Sequence, residues 1–79
     1  MVLNVLTGIN KELDVISQKI YTDYNEAFAE MKKEHSVMIG LAREGGFDVK
    51  SDFVGLYGAE LCYGDEPMHY KWYINSIEC

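Results

Sequence analysis

Apolar residues in the first half of the chain recur with a period between three and four. Ile9, Leu13, Ile16, Ile20, Tyr24, Ala27, Met31, His35, Met38 and Ala42 follow one another at spacings of 4, 3, 4, 4, 3, 4, 4, 3 and 4, the register of one helical face. The pattern predicts an amphipathic helix over residues 9–44, preceded by a short segment 1–8. Thr7 is placed to cap its first turn, and Gly45 with Gly46 supplies the conformational freedom that closes a helix. Thr22, Asp23 and Asn25 favour caps over helix interiors, and Asp23 with Glu26 has the capping-box spacing. A kink or break at residues 22–25 is therefore the alternative to a continuous helix, although no Gly or Pro stands there to enforce a turn.

The second half alternates instead. Met68, Tyr70, Trp72 and Ile74 interleave with His69, Lys71, Tyr73 and Asn75, an aromatic run of period two that predicts a strand. Residues 53–63 fit a helical face as well, but Gly55 and Gly58 together would cost a helix roughly 2 kcal/mol relative to alanine, so a strand is the better reading. Gly64 to Pro67 read as the loop of a hairpin that sets Tyr63 opposite Met68, Leu61 opposite Tyr70, Ala59 opposite Trp72 and Tyr57 opposite Ile74. Phe47 to Lys50 would add a short edge strand. The architecture expected is α+β, one long N-terminal amphipathic helix packed on a C-terminal antiparallel hairpin or three-stranded sheet at residues 47–78, in a single small domain spanning residues 1–79.

A helix of that length is a rod of roughly 50 Å, whereas a compact chain of 79 residues is about 30 Å across. The mismatch points to a homodimer that covers the protruding stripe around Met31, His35 and Met38. A chain of 9.0 kDa also buries a modest share of its surface and gains from a second subunit.

With 13 Asp plus Glu against 7 Lys plus Arg, the net charge of -6 disfavours nucleic acid and anionic membranes as partners and favours a basic protein surface. No run of apolar residues reaches the length of a bilayer span, and the start carries no signal-peptide pattern, so a cytoplasmic location is expected. The two cysteines, Cys62 and Cys79, are too few for a disulfide framework and are expected to stay reduced. Cys62, His69, His35 and Cys79 have no metal-ligand spacing, although Cys62 would lie opposite His69 in the hairpin. The GLYG segment lacks the lysine and following helix of a phosphate loop. Neither an enzyme nor a cofactor is expected.

Two features remain as candidate partner-binding sites. Asp23, Glu26, Glu30 and Glu34 recur at spacings of 3, 4 and 4 and would form an acidic ridge beside the apolar stripe, either a solvated face or a docking surface for a basic groove. Tyr63 and Tyr73 belong to an aromatic complement of 6 Tyr and 1 Trp and are candidate interface anchors. Together they suggest a small, acidic, non-catalytic protein-binding module. The alternative is a small-ligand or nucleotide sensor formed by an oligomer.

Two resemblances accompany these readings. The segment IGLAREGGFDVKSDF, residues 39–53, resembles the end of the helical leader of Nif11-type peptide precursors, in which a double glycine precedes a cleaved core peptide; here Gly45 and Gly46 precede a patterned hairpin. In type, though in no motif, the chain is similar to small phage-encoded inhibitors of the anti-CRISPR and anti-restriction class, which implies a partner whose basic surface it occupies.

Overall fold

β-Branched residues crowd the first 21 positions, at Val2, Val5, Thr7, Ile9, Val15, Ile16 and Ile20, and there the chain forms a hairpin of two strands. The computed structural model describes residues 1–64 and 68–78, Met68 by its backbone alone. The elements are β1 (Val2–Ile9), β2 (Val15–Tyr21), α1 (Tyr24–Glu44), β3 (Val49–Val54), β4 (Gly58–Tyr63) and β5 (Met68–Glu78). The strands form one antiparallel sheet in the order β2-β1-β5-β4-β3. The fold is thus mostly sheet with a single helix in the middle of the chain. This corrects the expectation of a long N-terminal helix at 9–44 packed on a C-terminal hairpin.

The correction has a local cause. Asn10 closes the β1–β2 turn: its side-chain oxygen accepts from the amides of Glu12 and Asp14, both at 3.0 Å, and its backbone pairs with Leu13 and Asp14. Leu13 takes φ 65° at the tip. Thr7, expected as a helix cap, lies within β1. The helix starts where the alternative placed a break. Asp23 is its N-cap, accepting from the Asn25 amide at 2.9 Å, which satisfies one of the free donors of the first turn.

At the other end Gly46, with φ 78°, donates to Arg43, and Phe47 donates to Ala42. These are the two bonds of a Schellman termination. The double glycine ends α1 and turns the chain into β3.

The stripe of the sequence survives from Tyr24 onward. Ala27, Met31, His35 and Ala42 are buried on α1, and Met31 joins Leu6, Ala59, Leu61, Trp72 and Ile74 in the core between helix and sheet. Its N-terminal part disperses, since Leu13 sits in a turn and Ile20 is 63% exposed. The β4–β5 register is the one expected, with Tyr63 opposite Met68, Leu61 opposite Tyr70 and Ala59 opposite Trp72. Tyr57 falls just before β4, where its carbonyl accepts from the Ile74 amide at 2.9 Å. The Asp65 to Pro67 part of the loop and Cys79 lie outside the described residues.

Because Met31 and His35 are only 0% and 4% exposed, covered by the chain's own sheet, they are not a self-association surface; Met38 packs against the same core. The 21-residue helix is about 32 Å long, shorter than the 43 Å longest extent of the molecule, so the protruding rod that motivated that dimer does not exist.

Leu61→Ala removes a side chain that is 0% exposed and should lower unfolding free energy by about 2–5 kcal/mol. Asp23→Ala should cost about 1 kcal/mol through the lost cap, and Leu41→Ala, at a site 55% exposed, less than about 0.5 kcal/mol. Urea denaturation measures all three.

Candidate functional site

Between α1 and the start of β2 the two layers part and leave a groove of about 290 Å³. Three local features open it. The first is a β-bulge. Gly8 pairs with Ser17 but Ile9 with Val15, so Ile16 is an extra residue in β2 and is carried with Ser17 to the rim of the groove.

The second is Gly8 itself. A Cβ on Gly8 would lie 2.7 Å from Ser17 Oγ and 3.0 Å from both Cδ1 and Nε1 of Trp72, too close for any larger residue. The missing side chain lets the indole and the hydroxyl converge over one point of β1. The third is the helix register: Glu30, Lys33, Glu34, Val37 and Met38 share one flank of α1 and form the opposite wall.

The lining mixes apolar surface from Ile16, Val37, Met38 and Trp72 with a few polar groups, the usual composition of a binding site. Those polar groups are not equivalent. Glu30 is tied to Lys19, whose Nζ donates to Glu30 Oε1 at 2.7 Å. That hydrogen bond holds the Glu30 carboxyl below the usual glutamate range, against the opposing effect of desolvation, and raises the Lys19 ammonium correspondingly. Lys33 is exposed on the outer lip.

Glu34 Oε2 and Ser17 Oγ differ from these: both atoms are shut off from solvent and have no hydrogen-bond partner among the described residues. An unmet buried polar atom costs roughly 1–3 kcal/mol, so the groove carries two unmet hydrogen-bonding atoms.

The remaining candidates are placed as follows. Of the acidic ridge, Asp23 is engaged as the helix cap, Glu26 is exposed in the first turn, and Glu30 and Glu34 meet in the groove. Met38, expected at a dimer interface, lines the same groove.

Tyr63 stacks on Tyr70 with ring centroids 6.1 Å apart, against Phe47 at 5.6 Å, and burial is the main cause that raises its phenol above the usual tyrosine range. It is a packing residue of the helix-side layer. Tyr73 is half-buried in β5 opposite Thr7 and Gly58, on the sheet face away from the helix, so the structure does not bring Tyr63 and Tyr73 together.

His35 is a satisfied core histidine. Its Nε2 lies 3.1 Å from the Glu60 carbonyl oxygen, and its ring meets Trp72 edge-on at 5.7 Å. Cys62 is a free thiol opposite His69, and no cluster of three or more metal-ligating side chains occurs among the described residues. Among those residues no helix is long and apolar enough to cross a membrane.

Gly8, Ile16, Ser17, Val37 and Trp72 were not singled out as site residues by sequence, because a helical reading of residues 9–21 separates Ser17 from Gly8 and from β5. No family model, curated protein or solved structure matches the chain.

Two outcomes follow. Gly8→Ala should destabilise the fold by about 1–3 kcal/mol through overpacking, measured by urea denaturation, and should shift Trp72 emission by displacing the indole. The lowered Glu30 carboxyl contributes stability that is present above the ordinary glutamate range and is lost as pH falls through its folded value. Lys19→Met should therefore flatten the loss of stability on the acid side in a pH series of melting curves.

Proposed function

We propose that the chain is a small non-catalytic protein-binding module that receives a cationic side chain of a basic partner, an arginine in preference to a lysine, in the α1–β2 groove. The observation that carries this reading is the pair of buried oxygens, Ser17 Oγ and Glu34 Oε2, without a hydrogen-bond partner among the described residues, in one groove. Both accept hydrogen bonds; Lys19 Nζ bonds Glu30 and also attracts Glu34 electrostatically, but Glu34 Oε2 has no hydrogen-bond donor among the described residues and is the acceptor open to an incoming one.

A guanidinium supplies five donors in a planar fork, which suits the acceptors Glu34 and Ser17. The aliphatic stem of arginine suits Ile16, Val37 and Met38. A net charge of -6 favours encounter with a basic surface at low salt.

A second reading keeps the groove and changes the occupant. Its volume of about 290 Å³ is near the lower end of small-molecule sites, about 300–1,000 Å³, which favours a small organic cation as ligand; native mass spectrometry of the purified chain would detect one as added mass.

Trp72 is the single tryptophan of the chain and lines the groove, so intrinsic fluorescence reports on this site. Titration with an arginine-containing peptide should shift Trp72 emission saturably and more weakly as ionic strength rises. The same peptide with neutral citrulline in place of arginine should not. Glu34→Gln should weaken binding about 10-fold or more, corresponding to roughly 1.4 kcal/mol, whereas Glu44→Gln, with the same change of net charge at the far end of α1, should not. Equal effects of the two substitutions, or equal binding of the citrulline peptide, would exclude the groove as a cation site.

A further inference from the structure

The sheet has a second face, and the helix covers only the first. Strand alternation and the observed registers put Leu6, Ala59, Leu61, Trp72 and Ile74 toward α1 and their neighbours away from it. On the β2-β1-β5 half of that outer face stand Leu3, Val5, Ile9, Val15, Ile20 and Ile77. Val15, Ile20 and Ile77 are 59%, 63% and 49% exposed, and Tyr73 completes the patch beside Thr7. Across β5 and β4 the face turns polar, where Lys71 Nζ stands 3.5 Å from Glu60 Oε1.

We infer that this outer face is a self-association surface, and that two copies of the chain pack sheet against sheet into a four-layer helix–sheet–sheet–helix dimer. Charge is the first argument. In a chain with 13 acidic residues and a net charge of -6, Glu60 is the acidic residue that the described strand registers bring onto this face, and Lys71 balances it. A face without net charge has nothing to select a basic partner, and it lets two acidic copies meet without repulsion at the contact while their acidic helices stay on the outside.

Area is the second argument. Five strands at ~4.8 Å and about six residues at ~3.3 Å give a flat footprint of roughly 480 Å², and side-chain relief carries the accessible area toward the ~800 Å² per partner of a standard interface. Exposed apolar patches of this kind mark interaction sites in soluble chains, and stacked sheets pack their inner faces ~10 Å apart with interdigitated aliphatic residues. The groove lies on the other side of the sheet, so this surface stands independently of what the groove binds.

Light scattering coupled to gel filtration at tens of micromolar should give twice the 9.0 kDa chain mass. Ile20→Lys combined with Ile77→Lys should weaken the dimer by roughly 30-fold or more with unchanged far-ultraviolet circular dichroism, and Val37→Lys on the helix side should leave it intact. In wild type, the methyl groups of Leu3, Val5 and Ile20 should be shielded from a soluble paramagnetic relaxation agent, a reading that stands even if the double variant fails to fold. A wild-type monomer at those concentrations overturns the inference, as do methyl groups that the agent relaxes without protection or a dimer broken by Val37→Lys. A monomer that instead co-floats with neutral phosphatidylcholine vesicles assigns the face to a lipid surface and overturns it equally.

Discussion

The pairing of the first strand with the last organises everything else in this molecule. Eight consecutive partners, from Val2 with Glu78 to Ile9 with Lys71, zip β1 to β5 along their shared length. Each end of the chain thereby becomes the centre of the sheet, and the hairpins that carry β2 and β3 are pushed out to its edges. α1 must then cross from one edge to the other, which lays it over the central strands and explains why the core draws on β1, β4 and β5 together. The closure is long-range, and its entropy must be met before the contacts reward it.

The same pairing creates the groove. Register sets Gly8 opposite Trp72 on one side and Ser17 on the other, a glycine between the largest side chain of the core and a hydroxyl. A larger residue at position 8 would collide with both. Glycine lets the hydroxyl and the indole converge beside the flank of α1 that carries Glu30 and Glu34, and two oxygens there have no hydrogen-bond partner among the described residues. Sites built for recognition characteristically give up some stability of the free protein, and this groove has that character in both its missing side chain and its unmet polar atoms.

How much of this the sequence discloses differs along the chain. From Tyr24 on, a period-3.6 stripe and a period-two aromatic run each meet a single buried face, so this part of the helix, the β4–β5 register and the burial of Trp72 could be read directly, whereas Met31, expected under a second subunit, is buried by the chain's own sheet. Before Tyr24 the periodicity deceives. Ile9, Leu13, Ile16 and Ile20 keep helical spacing because a turn and a bulge happen to intervene at the right intervals, and they end on the outer face, the turn tip, the groove and the outer face respectively. The contrary signal was composition, the density of β-branched residues, with Asn10 and Asp14 as turn markers. Glu30 and Glu34 were recognisable as partner-binding candidates. Their neighbours in the groove were not, because Gly8, Ser17 and Trp72 are brought together by a strand pairing between opposite ends of the chain that no local pattern encodes.

The central claim is that the groove holds its carboxylate for an incoming donor and not for the fold. Equilibrium urea denaturation of Glu34→Leu addresses it without any ligand. If Glu34 Oε2 has no partner within the chain, replacing the carboxylate by an isobutyl group removes an unmet buried atom and extends the apolar wall of Val37 and Met38. The free chain should then become more stable, by on the order of 1 kcal/mol, while losing its response to the arginine peptide. A drop in stability of similar size would mean that Glu34 is a structural residue satisfied within the fold, and would contradict the reading of the groove as a site.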